Sequence, residues 1–201
     1  MVKPARKKIN TIVFDVDGVL IDPEFPRVLR DTLGVSPDLA SQFFGGPFRN
    51  CLEGRTDTKV ELLPFLTEWG WRDSVDEFVD LWLRSDSTLN APAFRFARSL
   101  LDAGYRCVVA SNQERHRAAY LTGQLDCFSR LFFSCDLQCR KPDVSFFESV
   151  RTTLDVPARE MLLLDDQLTN LLAAREDGWH AARCLIGEDY AALAARYELH
   201  I

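Results

Sequence analysis

Two acidic residues follow the first apolar run of the chain, in the segment TIVFDVDGVLID at positions 11–22. Asp15 and Asp17 are two positions apart, and Gly18 follows directly. A carboxylate can attack phosphorus, while a second carboxyl can protonate a leaving alcohol and later deprotonate a water molecule. We therefore predict that Asp15 is a nucleophile and Asp17 a general acid and base. Gly18 is expected to let the chain turn sharply enough to bring Asp17 over the site.

Polar residues also follow three later apolar runs. Ser111 and Asn112 come after the second run, Lys141 follows the third, and Asp165 and Asp166 end the fourth. In an open parallel sheet, ligands bind in the crevice beyond the carboxyl ends of the strands. The sequence therefore predicts that all of these side chains share one crevice with the first acidic pair.

Four carboxyl groups in one crevice indicate a bound cation, because close carboxylates repel one another unless a positive charge lies among them. Oxygen ligands with room for water favour Mg²⁺. A strand-end hydroxyl such as Ser111, with Asn112 beside it and the ammonium group of Lys141, suits a bound phosphate group. We therefore predict magnesium-dependent chemistry on a small phosphorylated molecule.

Alternating strand and helix patterns must position these residues. Short continuous apolar runs, typical of parallel strands covered on both faces, occur at residues 12–14, 107–110, 131–133, 161–164 and 181–186. Helical patterns occur at residues 115–125, 144–154, 168–176 and 190–197. This alternation predicts an α/β fold with a doubly wound, Rossmann-like parallel sheet.

A segment of helical patterns interrupts the alternation at residues 22–90. Ser36 precedes a proline at a predicted first helical position, Ser74 and Glu77 form a predicted capping box, and no strand is predicted in the segment. We predict a core domain formed by residues 1–21 and 91–201 and a helical cap domain formed by residues 22–90. Its aromatic residues are predicted to form cap core rather than a substrate platform, namely Phe43, Phe44, Phe48, Trp69, Trp71 and Trp82.

Composition excludes several other classes of protein. The 201 residues carry a formal charge of -6, which argues against nucleic-acid binding, and no apolar run is long enough for a membrane span. Basic residues at positions 3, 6, 7 and 8 precede too short an apolar run for an export signal. The six cysteines are then expected to be reduced thiols, and the expected location is the cytoplasm.

Four sequence motifs resemble those of the haloacid dehalogenase superfamily over essentially the whole chain: DVDGVLID, ASN, RKPD and LLLDDQLTNLLAAREDG. The resemblance implies a phosphotransferase in which Asp15 is the nucleophile and a metal ligand. It implies that Asp17 is the acid and base and binds Mg²⁺ through its carbonyl. Ser111 and Lys141 would bind phosphate, and Asp166 would be a direct metal ligand.

The same resemblance implies supporting roles for other residues. Asp165 would act on the metal through water, and Asn112 and Asn170 would support the site. The insert resembles the cap of the capped subfamily I, which closes over the crevice and selects the substrate. Three segments are similar to alpha-glucose-1-phosphatase-like sugar phosphatases, which implies a sugar phosphate substrate: DPEFPRVL, FRNCLEGRTD and SCDLQCRKPD.

Alternative functions stay open from the sequence. A phosphoglucomutase-type phosphotransferase would carry the same strand-end residues, although the cap segment at Gly54 differs from the usual mutase pattern. A receiver-like phosphoacceptor would also gather acids, a hydroxyl and a lysine. In receivers, however, the acid pair precedes the lysine along the chain, whereas here the pair Asp165 and Asp166 follows Lys141. Carbon–halogen chemistry is disfavoured because true dehalogenases have a non-acidic residue at the position of Asp17. The chain is expected to act as a monomer or homodimer.

Overall fold

The computed structural model describes residues 9–201, and a five-stranded parallel sheet lies at its centre. Across the sheet, the strands lie in the order 131–133, 106–111, 11–14, 161–165 and 180–183, which confirms the predicted doubly wound α/β fold. The basic residues at positions 3, 6, 7 and 8 and the start of the predicted core domain lie outside the described residues. The sheet consists of β1 (Thr11–Phe14), β4 (Arg106–Ser111), β5 (Leu131–Phe133), β6 (Met161–Asp165) and β7 (His180–Arg183).

Helices cover both faces of this sheet. Alternate residues of each strand point to opposite faces, and the three central strands carry apolar residues on both sides, so both faces must be buried. Ile12 and Phe14 of β1 pack in one buried apolar cluster, whereas Val13 packs in another on the opposite face. The predicted helices 144–154 and 168–176 have the predicted bounds, while the ends of two others shift. The covering helices are α6 (Ala91–Asp102), α7 (Arg115–Thr122), α8 (Ser134–Leu137), α9 (Val144–Leu154), α10 (Leu168–Glu176) and α11 (Tyr190–Arg196).

The segment between β1 and α6 is mainly helical and has its own apolar cluster, which includes Phe43, Leu62 and Phe78. Ser36 and Ser74 cap their helices as predicted, and Ser74 forms a full capping box with Glu77. The helices are α1 (Phe25–Arg27), which continues as a π-helical turn over Val28–Thr32, then α2 (Pro37–Phe44), α3 (Phe48–Leu52), α4 (Thr58–Glu68) and α5 (Val75–Ser85).

The prediction that this segment contains no strand is wrong at its two ends. Strand β2 (Ile21–Asp22) pairs antiparallel with β3 (Thr88–Leu89), where the chain leaves the region of the five-stranded sheet and returns to it. Two-residue strands are too short to show a repeating apolar pattern, so sequence periodicity cannot reveal them. This ribbon lies at both crossings between the helical segment and the rest of the chain.

Within residues 9–201, no helix combines the length and the apolar character needed to cross a bilayer. All six cysteines are free thiols, in agreement with the expectation from the sequence.

Candidate active site

A polar pocket of about 280 Å³ lies at the carboxyl ends of the central strands. Its lining includes nearly every residue predicted to act at the site, and Asp165 is fully buried behind it. The predicted residues that line the pocket are Asp15, Asp17, Gly18, Ser111, Asn112, Lys141, Asp166 and Asn170.

Lys141 lies between two of the predicted carboxylates. Its Nζ is 2.9 Å from Oδ1 of Asp15 and donates a 2.6 Å hydrogen bond to Oδ2 of Asp165. The side chain of Lys141 is only 1% exposed, so this cation serves the site and not the surface. Burial acts to lower the pKa of Lys141, but the two carboxylates outweigh it and hold the pKa above its ordinary value.

The carboxyl group of Asp15 is poised for pH-dependent behaviour. Burial and, to a smaller extent, the nearby Asp165 raise the pKa of Asp15 to about 7, against the lowering effect of Lys141. Hydrogen bonds from Lys141 and from the hydroxyl of Ser111 favour the ionised form. Asp15 therefore gains and loses its proton near neutral pH in the metal-free protein.

Asp165 is held in place by donors on every side. Besides Lys141, the backbone N–H of Gln167 donates to Oδ1 at 2.8 Å, and the Asn170 amide donates to both oxygens at 3.0 and 3.1 Å. Asn170 thus acts on the pocket partly through Asp165. These contacts fix the carboxylate of Asp165 behind the groups that face the pocket.

Asp166 faces the pocket beside Gly18. A β-carbon at Gly18 would lie 2.9 Å from Oδ2 of Asp166, and its φ of +77° disfavours any other residue. Gly18 therefore permits the close approach of Asp166 to the loop after β1, in addition to the turn predicted from the sequence. Burial raises the pKa of Asp166, and the neighbouring Asp165 adds to this effect.

A divalent cation fits three of these acids. One carboxylate oxygen from each of Asp15, Asp165 and Asp166 lies within 4.8 Å of the others. Among the described residues this is the one group of three or more His, Cys, Asp or Glu side chains arranged in this way. A hard cation such as Mg²⁺ prefers such all-oxygen donors. The side chain of Asp17 lies outside this group.

Asn112 has a positioning role that the sequence did not indicate. Its Nδ2 donates to the carbonyl of Lys141, and its Oδ1 accepts from the N–H of Lys141, both at 2.8 Å. The amide of Asn112 is therefore committed to the backbone that carries Lys141. Ser111, at the end of β4, directs its hydroxyl to Asp15.

The side chain of Asp17 is held by two residues that sequence reasoning missed. Arg117 of α7 donates a 2.6 Å bond to Oδ1, and Gln113 donates a 2.8 Å bond to Oδ2. Gln113 also donates to the hydroxyl of Ser111 at 3.0 Å. Although the sequence marks Arg117 as an ordinary charged helix residue, its side chain is 3% exposed.

Arg117 also connects Asp17 to the helical segment. Its second guanidinium nitrogen donates to the backbone carbonyl of Asp86 at 3.2 Å and lies 3.7 Å from the Asp86 carboxylate. Asp86 in turn accepts a 2.7 Å bond from the N–H of Phe25. One buried cation thus joins the strand-end site to both ends of the helical insert.

A family model for haloacid dehalogenase-like hydrolases matches residues 9–178 of the chain. The rat bifunctional epoxide hydrolase 2 is 26% identical over 197 residues, which cover 85% of this chain and 35% of that protein. The sesquiterpene phosphatase astK of Aspergillus oryzae is 35% identical over 63 residues, covering 31% of this chain and 32% of that protein. The chain spans about a third of the length of each of these curated relatives.

Solved structures share the fold. A HAD family enzyme from Bacteroides thetaiotaomicron, in complex with magnesium and inorganic phosphate, aligns with a TM-score of 0.76. It is 19% identical, and the alignment covers 92% of this chain and 98% of that chain.

Proposed function

Because the chain belongs to the haloacid dehalogenase-like hydrolase family, we propose that it is a magnesium-dependent phosphatase that hydrolyses a small phosphomonoester through an aspartyl-phosphate. The observation that carries this proposal is the pocket lined by Asp15, Asp166 and Lys141, with Asp165 close behind as the third acid of the candidate metal group. The magnesium and phosphate bound by the structural relative, and the phosphatase name of the fungal relative, support it.

Asp15 supplies the nucleophile. Its carboxylate oxygen attacks phosphorus as the bond from phosphorus to the ester oxygen breaks, which leaves a phosphoryl group on Asp15. Lys141, 2.9 Å from the Asp15 carboxylate, offsets the negative charge that the phosphoryl group brings. The hydroxyl of Ser111, beside Asp15, orients a phosphoryl oxygen.

Asp17 moves the protons. It gives its proton to the departing ester oxygen and then takes one from the water molecule that attacks the aspartyl-phosphate. Hydrolysis of that intermediate releases inorganic phosphate and restores Asp15. Arg117 and Gln113, which hold both Asp17 oxygens, keep this group at the edge of the pocket.

Asp15, Asp166 and the backbone carbonyl of Asp17 would hold Mg²⁺, with Asp165 acting through water, and the bound ion would neutralise the phosphoryl oxygens. The hydrogen bonds that the oxygens of Asp165 accept from Lys141, Asn170 and the N–H of Gln167 support such an indirect role. Residues 22–90 would form the cap that covers the site, in the manner of capped subfamily I. We propose that the chain acts as a monomer or homodimer.

The experiment that tests the proposal is phosphate release from 4-nitrophenyl phosphate, with and without Mg²⁺. We expect turnover that needs the metal, and a loss of about 10⁴-fold or more in Asp15→Asn. Asp102→Asn, an exposed carboxylate at the end of α6, is the matched control and should keep full activity.

Three results would contradict the proposal. Full activity in Asp15→Asn would show that Asp15 is not the nucleophile. A stable phosphoprotein without turnover would favour the phosphoacceptor alternative, and conversion of a sugar 1-phosphate to a 6-phosphate without free phosphate would favour the mutase.

A further inference from the structure

A second cavity of about 550 Å³ adjoins the polar pocket. Asp17 and Pro23 line both spaces, so the cavity opens where the polar pocket ends. Its other walls come from the helical insert, chiefly from α1, the π-helical turn that follows it and α2, with one residue each from α3 and α5. A phosphoryl group bound at Asp15 would therefore direct its ester substituent past Asp17 into this cavity.

The walls of this cavity are predominantly apolar. Most are aliphatic or aromatic side chains, which include Phe25, Leu29, Val35, Phe44, Phe48 and Trp82. The prediction that cap aromatics form core holds for Phe43 and Trp69. Phe44, Phe48 and Trp82, by contrast, pack in the cap cluster and also line the cavity.

The polar side chains of the walls already have partners. Arg30 pairs with Asp31 at 2.7 Å, and the hydroxyl of Ser41 donates to the carbonyl of Asp38 at 2.8 Å. Asp86 accepts from the indole N–H of Trp82 at 3.1 Å, in addition to its bond from Phe25. Apart from Asp17, the lining offers few groups to satisfy buried hydroxyls, which are costly to leave unpaired.

We propose that this cavity binds the apolar organic part of the substrate, so that the enzyme hydrolyses phosphomonoesters of aliphatic or aromatic alcohols. This inference rests on the proposed phosphatase function, since it assigns the leaving group of that reaction. The cavity volume of about 550 Å³ falls within the range of roughly 300–1,000 Å³ that is typical of small-molecule sites. Asp17, at the junction, is placed to protonate the ester oxygen as the apolar alcohol leaves.

This inference departs from the sugar phosphate expected from sequence resemblance. A sugar would place several hydroxyls against Phe44, Phe48 and Trp82, where they lose hydrogen bonds to water and gain none. An alkyl or aryl group would instead bind favourably, because its own apolar surface and that of the cavity wall would both be removed from water. The cavity therefore discriminates against sugar phosphates.

The test is the rate of phosphate release from n-alkyl phosphates, ethyl through decyl, beside glucose 1-phosphate. We expect kcat/KM to rise about 3-fold to 4-fold for each added methylene until the cavity is filled. Glucose 1-phosphate should be a poorer substrate than hexyl phosphate. A flat alkyl series, or a sugar phosphate that exceeds all alkyl phosphates, would overturn the inference.

A filled cavity should remove the preference for long chains. Ala40 of α2 lines the cavity, so Ala40→Phe should reduce kcat/KM for decyl phosphate at least about 10-fold more than for ethyl phosphate. The matched control is Leu63→Phe on α4, where Leu63 is 55% exposed and away from the cavity. Equal dependence on chain length in Ala40→Phe and in wild type would contradict the assignment.

Failure of this inference can be told from failure of the proposed function. Hydrolysis of 4-nitrophenyl phosphate with a flat alkyl series would reject the cavity assignment alone. If no phosphomonoester is hydrolysed, the phosphatase function fails, and calorimetric binding of n-alkylphosphonates to the wild-type protein then decides the cavity. Affinity that increases with chain length supports the apolar site, whereas equal affinities reject it.

Discussion

The two adjoining spaces of this molecule are built in opposite ways. The polar pocket takes its residues from the ends of β1, β4 and β6 and from the loop after α8, and Asp15, Asp17 and Lys141 each have an opposite charge within about 3 Å. The apolar cavity takes its walls from one continuous segment, in which aromatic and aliphatic surfaces dominate and the other polar groups are already bonded.

Under the proposed function, this difference separates reaction from recognition. The fixed charges of the polar pocket would set the chemistry, because transition-state stabilisation depends on accurately placed groups. The apolar walls would recognise the substrate by area and shape, which tolerate substitution far better. Asp17, the proposed acid and base, lines both spaces, so changes at or near it should affect both functions.

Among the variants that compare the two spaces, Asp17→Asn should have the largest effect. It removes the proton donor and should lower kcat/KM for an alkyl phosphate by about 10²-fold to 10⁴-fold. The loss should be much smaller for 4-nitrophenyl phosphate, since its phenolate leaves readily without a proton. The measurement is kcat/KM on both substrates, because it reports only the steps up to release of the alcohol, and the exposed Asp126→Asn is the control. Equal losses in kcat/KM on the two substrates would show that Asp17 does not protonate the leaving group.

The apolar region should yield the next largest effect, and on stability instead of chemistry. Phe43 is fully buried and its ring contacts four other aromatic rings, including Trp69 at 5.9 Å between centroids. Phe43→Ala should lower the free energy of unfolding of the helical segment between β1 and α6 by about 3–5 kcal/mol. Urea titration followed by tryptophan fluorescence measures the change.

For this stability prediction, Val60→Ala is the control, because Val60 is 63% exposed on α4 and should change stability by less than about 0.5 kcal/mol. Mg²⁺ affinity of Phe43→Ala in the absence of urea should match wild type. A large drop in that affinity would show that the two regions are not separable.

An intermediate effect is expected where the regions meet. Arg117→Lys keeps the positive charge. The lysine ammonium, however, lacks the planar guanidinium whose two nitrogens bond to Asp17 and to the carbonyl of Asp86. We expect kcat for alkyl phosphates to fall about 10-fold to 100-fold while KM changes little. Arg98→Lys, at an exposed position of α6, is the control. An unchanged kcat would mean that Arg117 serves only to hold the cap.

The smallest expected effect is the pH dependence of Mg²⁺ binding in the polar pocket. Because the pKa of Asp15 is raised to about 7, Mg²⁺ must displace a proton below that pH. The apparent Mg²⁺ affinity should therefore rise about 10-fold from pH 6 to pH 8 and then level off, as measured by calorimetry. Asp15→Asn should remove most of this dependence. A pH-independent affinity in wild type would contradict the raised pKa.

The same raised pKa has a defined sign for stability. Between the ordinary carboxyl pKa of 3.8 and about 7, native Asp15 binds more protons than the unfolded chain. The contribution of Asp15 to the stability of the metal-free protein therefore decreases as the pH rises through this window. Urea midpoints at pH 5 and pH 8, compared with those of Asp15→Asn, measure it.

The sequence predicted the sheet and its strand-end residues well for a physical reason. Fully buried parallel strands must be continuous apolar runs, and the polar residues that end them must face the ligand crevice. Asp15, Ser111 and Asp166 could be found on that basis alone, and the structure places all three in one pocket.

Sequence reasoning failed where a role depends on tertiary packing. Arg117 follows Glu114 and Arg115 in a charged segment that is typical of a solvated helix, so nothing local reveals its buried ion pair with Asp17. Phe44 and Phe48 illustrate a second limit, because aromatic residues at helical spacings are equally consistent with packed core and with cavity walls. Only the packing of the helical segment decides between the two.

The cavity walls come from one stretch of the sequence, which also affects how substrate specificity can evolve. Except for Asp17, every wall residue of the apolar cavity lies between Pro23 and Asp86. A single recombination event spanning this stretch would exchange nearly the whole recognition surface and leave the strand ends intact. New specificities can thus be inherited as one block, provided that the incoming segment still offers Arg117 a carbonyl and a carboxylate at the position of Asp86.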